Sequence, residues 1–122
     1  MFTKIAKKTN LLKIILLKNV LFICSRNKWR SLTAETIYKN SSEFHVKSAG
    51  TENSARVKVN SKLLVWADLI FVMEKHHKEK LEQNFPNETK NAEIIILEIP
   101  DVYKFMNEEL IEEIKVSVSN YI

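Results

Sequence analysis

Val20-Leu21-Phe22-Ile23-Cys24-Ser25-Arg26-Asn27-Lys28-Trp29-Arg30-Ser31 is the stretch that decides the fold of this chain. Its opening apolar residues suit a strand covered on both faces, because a strand with one wet face would alternate apolar and polar side chains. The strand delivers Cys24 into a short polar loop, and Arg30-Ser31 closes the loop where a helical stretch begins. A junction of strand, loop and helix N-terminus turns backbone N–H groups inward and makes a nest for a tetrahedral oxyanion. Inward amides and a guanidinium also favour the thiolate, the nucleophilic form of a cysteine. The planar fork of Arg30 matches two phosphoryl oxygens, which a lysine could not hold together. Ser31 can offer its hydroxyl to the sulfur. Because the loop contains no glycine, Asn27 is the residue expected to adopt the left-handed conformation there.

Working outward, three more short apolar runs occur at Phe44–Lys47, Leu69–Met73 and Ile94–Leu97. Helical spacing falls between and after them. Ser31 to Lys39, Lys58 to Trp66 and His76 to Gln83 are helix-like, and Asn107 caps a last stretch with Leu110, Ile111, Ile114 and Val118 as its apolar stripe. Strand and helix alternate four times. That pattern predicts an α/β three-layer sandwich, a four-stranded parallel sheet with helices on both faces. All strand C-termini then share one rim, where ligands bind in such sheets. Asp101 follows the fourth strand and belongs to that rim with Cys24. It is the expected general acid, and Tyr103 and Trp29 are candidate walls for a phenolic ring.

The chain has 122 residues, a net charge of +4 and one cysteine. Its length allows one core, assigned to residues 19–122, behind a basic N-terminal extension over residues 1–18. Lys4, Lys7, Lys8, Lys13 and Lys18 lie in that extension, and no acidic residue precedes Glu35. The apolar run from Leu11 to Leu17 is interrupted by Lys13 and is too short to span a bilayer, so no stable membrane insertion is expected. A lone cysteine cannot close an internal disulfide, which points to a reducing, cytoplasmic setting. The sequence lacks the interleaved basic and aromatic residues of a nucleic-acid surface. His76 and His77 are expected to point apart on a helix, no other Cys/His cluster has ligand spacing, and neither a metal nor another cofactor is expected.

With those residues in place, a resemblance becomes visible. Val20–Ser31, the Ser48-Ala49-Gly50-Thr51 segment and Asp101-Val102-Tyr103 resemble the low-molecular-weight protein tyrosine phosphatase family, more narrowly its short, predicted-phosphatase branch. The order of parts is similar too, with the cysteine early and the acid late. The resemblance implies Cys24 as nucleophile, Arg30 as phosphate clamp and Asp101 as general acid. It implies a loop-fixing hydrogen-bond network of Asn27, Ser31 and Ser48. Substrate would meet Ser25, Arg26, Asn27, Lys28, Trp29, Ser31 and Tyr103. The chain departs from the family pattern at Arg26, where glycine is usual, at Trp29, where many members have a second cysteine, and at Val102, where proline follows the acid.

The expected activity is therefore hydrolysis of a phosphomonoester through a phosphocysteine, with a phosphorylated protein or a small aryl phosphate as substrate. Three alternatives use the same loop. Arsenate reduction of the thioredoxin-linked kind needs further cysteines to form a disulfide. A phosphocysteine carrier has no use for the closing Arg30. A non-catalytic oxyanion-binding module would bind without turnover.

Overall fold

The computed structural model describes residues 17–122. The extension proposed for residues 1–18 lies outside the described residues except at its end, where Lys18 opens a strand instead of belonging to a tail. Four strands form the sheet: β1 (Lys18–Cys24), β2 (Phe44–Gly50), β3 (Leu69–Val72) and β4 (Ile94–Ile96). All neighbouring pairs are parallel and the order is β2-β1-β3-β4. The helices are α1 (Arg30–Tyr38), α2 (Ser61–Trp66), α3 (Lys75–Asn84), the single turn α4 (Pro86–Thr89), and α5 (Glu108–Val118).

The apolar run of β1 explains the layering. Val20, Phe22 and Cys24 join one core with Phe71, Ala34 of α1, and Leu110, Ile114 and Val118 of α5. Leu21 and Ile23 join the other, with Ile70, Val72, Leu64 of α2 and Leu81 of α3. Alternate side chains thus enter opposite cores, so β1 has no wet face and no alternation in its sequence. The three-layer α/β arrangement is the expected one.

Boundaries differ in instructive ways. β2 runs on to Gly50 because the small residues Ser48, Ala49 and Gly50 pair with Phe22, Ile23 and Cys24. The helix expected from Lys58 starts at Ser61, since the Asn60 side chain accepts the Leu63 N–H at 2.9 Å and caps it there. Lys58 instead forms an isolated bridge with Gly50. Asn107 caps α5 as expected, with its side chain accepting the Leu110 N–H at 3.1 Å.

Strand order places β1 in the interior, with β2 on one side and β3 on the other. The chain turns outward in opposite directions beyond β1 and β3, and this switch point opens a crevice at their C-terminal ends. Cys24 ends β1 and Glu74 follows β3. Past β4 the chain continues along the same rim, with Leu97 N–H donating to Val72 O and Ile99 N–H to Met73 O, both at 2.9 Å. That path carries Asp101 to the crevice.

Candidate active site

The first four carbonyls of the Cys24 loop are accounted for on its outer side. Cys24 O accepts from Thr51 N–H at 3.0 Å, Ser25 O from Glu52 N–H at 2.9 Å, and Arg26 O from Arg56 N–H at 2.9 Å. Asn27 O accepts from Arg56 Nε at 3.3 Å. With four successive carbonyls tied outward to residues 51–56, the loop's N–H groups face the other way. Gly50 makes this possible. A Cβ there would stand 2.5 Å from Ser25 O and 2.9 Å from Asn27 N. Asn27 takes the left-handed conformation, with φ of 55°.

Behind the loop runs a chain of buried polar groups whose direction is fixed at one end. The Asn27 amide donates from Nδ2 to both Ser31 Oγ and Ser48 Oγ, each at 2.8 Å. Ser48 then gives its own hydrogen to Glu35 Oε1 at 3.0 Å. Ser31 Oγ, which accepts from Asn27, lies 2.9 Å from Cys24 Sγ and 3.4 Å from Ala49 O, and its one hydrogen can go to either. Asn27 N–H donates to that sulfur at 3.2 Å. Asn27 N–H, and Ser31 Oγ when its hydrogen turns to the sulfur, can both donate to Sγ, as a thiolate nucleophile needs.

Arg30 is 2% exposed and held on several sides. Its Nη1 donates to Ile99 O at 2.9 Å and pairs with the Glu74 carboxylate. Its Nε lies 3.6 Å from Asp101 Oδ1. Burial pushes the Glu74 carboxyl up, but the hydrogen bond and charge of Arg30, with His76 in addition, outweigh it and hold the group below its usual range. The guanidinium therefore has a fixed anionic partner at one edge and Asp101 near the other.

A pocket of about 210 Å³ opens above the sulfur, lined by Cys24, Ser25, Arg26, Lys28, Trp29, Arg30, Glu52 and Asp101. Lys28 Nζ lies over the Trp29 ring, 5.2 Å from its centroid. Of the residues expected to meet substrate, Asn27 and Ser31 are fully buried and stand behind the loop. Tyr103 also departs from expectation. It packs partly buried against the α1/α5 core, and its hydroxyl donates to Glu113 at 3.1 Å. Partial burial and then Glu113 raise its pKa. The helix-borne carboxylate draws the ring onto α5 and leaves Trp29 as the aromatic wall.

His76 and His77 do not point apart. Their ring centroids lie 4.0 Å from one another, and with Glu74 they bring potential ligand atoms within 4.8 Å. The reason is the start of α3. His77 Nδ1 accepts the Glu74 N–H at 3.0 Å in a reciprocal cap, which swings the ring back. That bond fixes the tautomer: neutral His77 carries its proton on Nε2 and donates it to Ser25 Oγ, 2.8 Å away. Burial, then the charges of His76 and Arg30, lower the His77 pKa to about 3. With both His77 nitrogens and the Glu74 carboxylate engaged by protein groups, the cluster braces the loop.

The sequence reading did not anticipate the parts that Glu35, Glu52, Glu74 and His77 play around the loop. A glutamate after a strand or on a helix is ordinarily a solvated side chain, so only the three-dimensional path of Arg30 exposes the role of Glu74. For His77 the sequence held no signal either, because a reciprocal cap is read from Ser, Thr, Asp or Asn followed three residues later by Glu or Gln, and Glu74-x-x-His77 is neither.

No protein-family model and no curated protein sequence matches the chain, but solved structures do. Wzb from Vibrio vulnificus, in complex with benzylphosphonate, superposes with a TM-score of 0.69 at 22% identity, over 86% of this chain and 97% of that one. A low-molecular-weight phosphotyrosine phosphatase from Vibrio cholerae O395 gives a TM-score of 0.62 at 20% identity, over 84% and 95%. YwlE, an arginine phosphatase from Geobacillus stearothermophilus, gives 0.61 at 17% identity, over 84% and 94%. The chain has the fold these phosphatases share, along nearly their whole length.

Proposed function

We propose that the chain is a cysteine-dependent phosphomonoesterase that passes through a phosphocysteine on Cys24. The observation that carries this reading is the sulfur at the floor of the pocket, met by Ser31 Oγ at 2.9 Å and Asn27 N–H at 3.2 Å, with buried Arg30 beside it. Solved phosphatases of the same fold support it. Aryl phosphates, phosphotyrosine among them, are the proposed substrates, with Trp29 flanking the ring.

In the first step Cys24 Sγ attacks phosphorus in line, and the ester P–O bond breaks. Arg30 and the loop N–H groups hold the equatorial oxygens as charge shifts onto them. Asp101 gives its proton to the departing oxygen. In the second step the Asp101 carboxylate takes a proton from water, whose oxygen attacks phosphorus. The S–P bond breaks and inorganic phosphate leaves.

The test is phosphate release from para-nitrophenyl phosphate, compared with a phosphotyrosyl and a phosphoarginyl peptide. The expected result is turnover of the aryl esters that Cys24→Ser abolishes. Turnover undiminished in Cys24→Ser would end this reading. Binding of phosphate without hydrolysis at any pH would leave an oxyanion-binding module in its place.

A further inference from the structure

Beside the Cys24 pocket lies a second cleft of about 440 Å³, lined by Arg26, Lys28, Ser54 and Arg56. Arg26 and Lys28 line both spaces, so the loop wall that closes one opens onto the other. We propose that this cleft is a second anion subsite, which takes the carboxylate of an acidic residue next to the phosphorylated residue of a peptide substrate. The proposal rests on the reading that the Cys24 pocket takes the phosphoryl group.

Three observations support it. The Cys24 pocket, at about 210 Å³, is smaller than the roughly 300–1,000 Å³ of pockets that enclose a whole small ligand, so most of a peptide must lie outside it. Second, the cations of the cleft are concentrated and one is anchored. The Arg56 backbone N–H is bonded to Arg26 O at 2.9 Å, and its Nε donates to Asn27 O at 3.3 Å. These bonds pin the guanidinium to the loop and leave its terminal nitrogens for a ligand. Among the described residues neither Arg56 nor Lys28 has a carboxylate partner. Third, one of the cleft's cations already draws a carboxylate, from Glu52 on the Cys24-pocket side of the shared wall. Glu52 Oε2 lies 3.3 Å from Arg26 Nε, a carboxylate of the chain itself occupying one of the cations. Glu52 is then an internal competitor for the proposed ligand.

Binding to the Cys24→Ser protein tests this without requiring turnover. Two phosphotyrosyl peptides are titrated by calorimetry, identical except that two glutamates beside the phosphotyrosine become glutamines. Exposed pairs of this kind are each worth roughly 1.5- to 5-fold, so the peptide with two glutamates should bind about 2- to 25-fold tighter at low ionic strength. Added salt should shrink that ratio. Lys28→Gln with Arg56→Gln should bring it to about one, and any general damage to the loop weakens both peptides and leaves the ratio interpretable. Glu52→Gln should raise it roughly 2-fold or more, a gain that misfolding cannot produce. Equal affinities, absence of binding by either peptide, or a preference that survives Lys28→Gln with Arg56→Gln overturns the subsite. Hydrolysis of para-nitrophenyl phosphate by the unmodified protein separates the two ideas. Turnover without acidic preference removes the subsite alone, and acidic preference without turnover removes the phosphatase reading alone.

Discussion

Gly50, the only glycine in the chain, stands where β2 touches the Cys24 loop. A methyl group there would press on Ser25 O and Asn27 N, both backbone atoms that cannot swing aside. Gly50→Ala should cost about 1–3 kcal/mol, read as a lower urea midpoint, and should reduce phosphate affinity because the loop has to move. A variant with unchanged midpoint and affinity would show that the contact is slack. Asp101 permits a sharper test, because its assigned task depends on the leaving group. Asp101→Asn should lower kcat about 10²- to 10⁴-fold on phenyl phosphate and far less on an ester whose leaving oxygen needs no proton. Equal losses on both would remove the acid role. At this scale Cys24, Arg30 and Asp101 were legible, since each is a rare residue type at a telling distance from a strand end. Glu74 was not, because the pairing depends on Arg30 reaching across the sheet's switch point.

The elements carry the loop's stiffness. α3 begins with the reciprocal cap of Glu74 and His77, and the same histidine reaches Ser25. A folded pKa of about 3, against 6.5 in an open chain, means that the unfolded state binds a proton that the folded state refuses. The contribution of His77 is therefore complete above pH 6.5 and is lost progressively as pH falls from 6.5 towards 3. His77→Gln should flatten the dependence of urea midpoint on pH between about 6.5 and 5, a range above the titration of Glu74. Parallel curves for the two proteins would mean that the ring is accessible to protons in the folded state. The sequence announced four strands through their apolar runs, yet it undercounted β2. Ser48, Ala49 and Gly50 are poor strand formers by composition and extend the strand only because β1 lies alongside.

Over the whole molecule, two cores grip one sheet, and the site sits where the sheet's direction of growth reverses. Phe71 of β3 lies at the centre of the α1/α5 side, fully buried and stacked on Phe22 with ring centroids 5.2 Å apart. Phe71→Ala should destabilise the fold by about 3–5 kcal/mol, seen in denaturant unfolding. A loss below about 1 kcal/mol would mean that the core closes over the gap. Architecture at this scale was readable because doubly covered strands need continuous apolar runs. The wall of the pocket was harder to read, since Tyr103 is drawn to Glu113, a partner ten residues on in the sequence and one helix away. The account depends most on the bond between sulfur and phosphorus. Rapidly quenched mixtures with para-nitrophenyl phosphate, followed by peptide mass mapping, should show one phosphoryl group on the sulfur of Cys24 and no sulfur-bound phosphoryl group in Cys24→Ser. Steady turnover with that sulfur always unmodified, or a phosphoryl group found on a different residue, would contradict it.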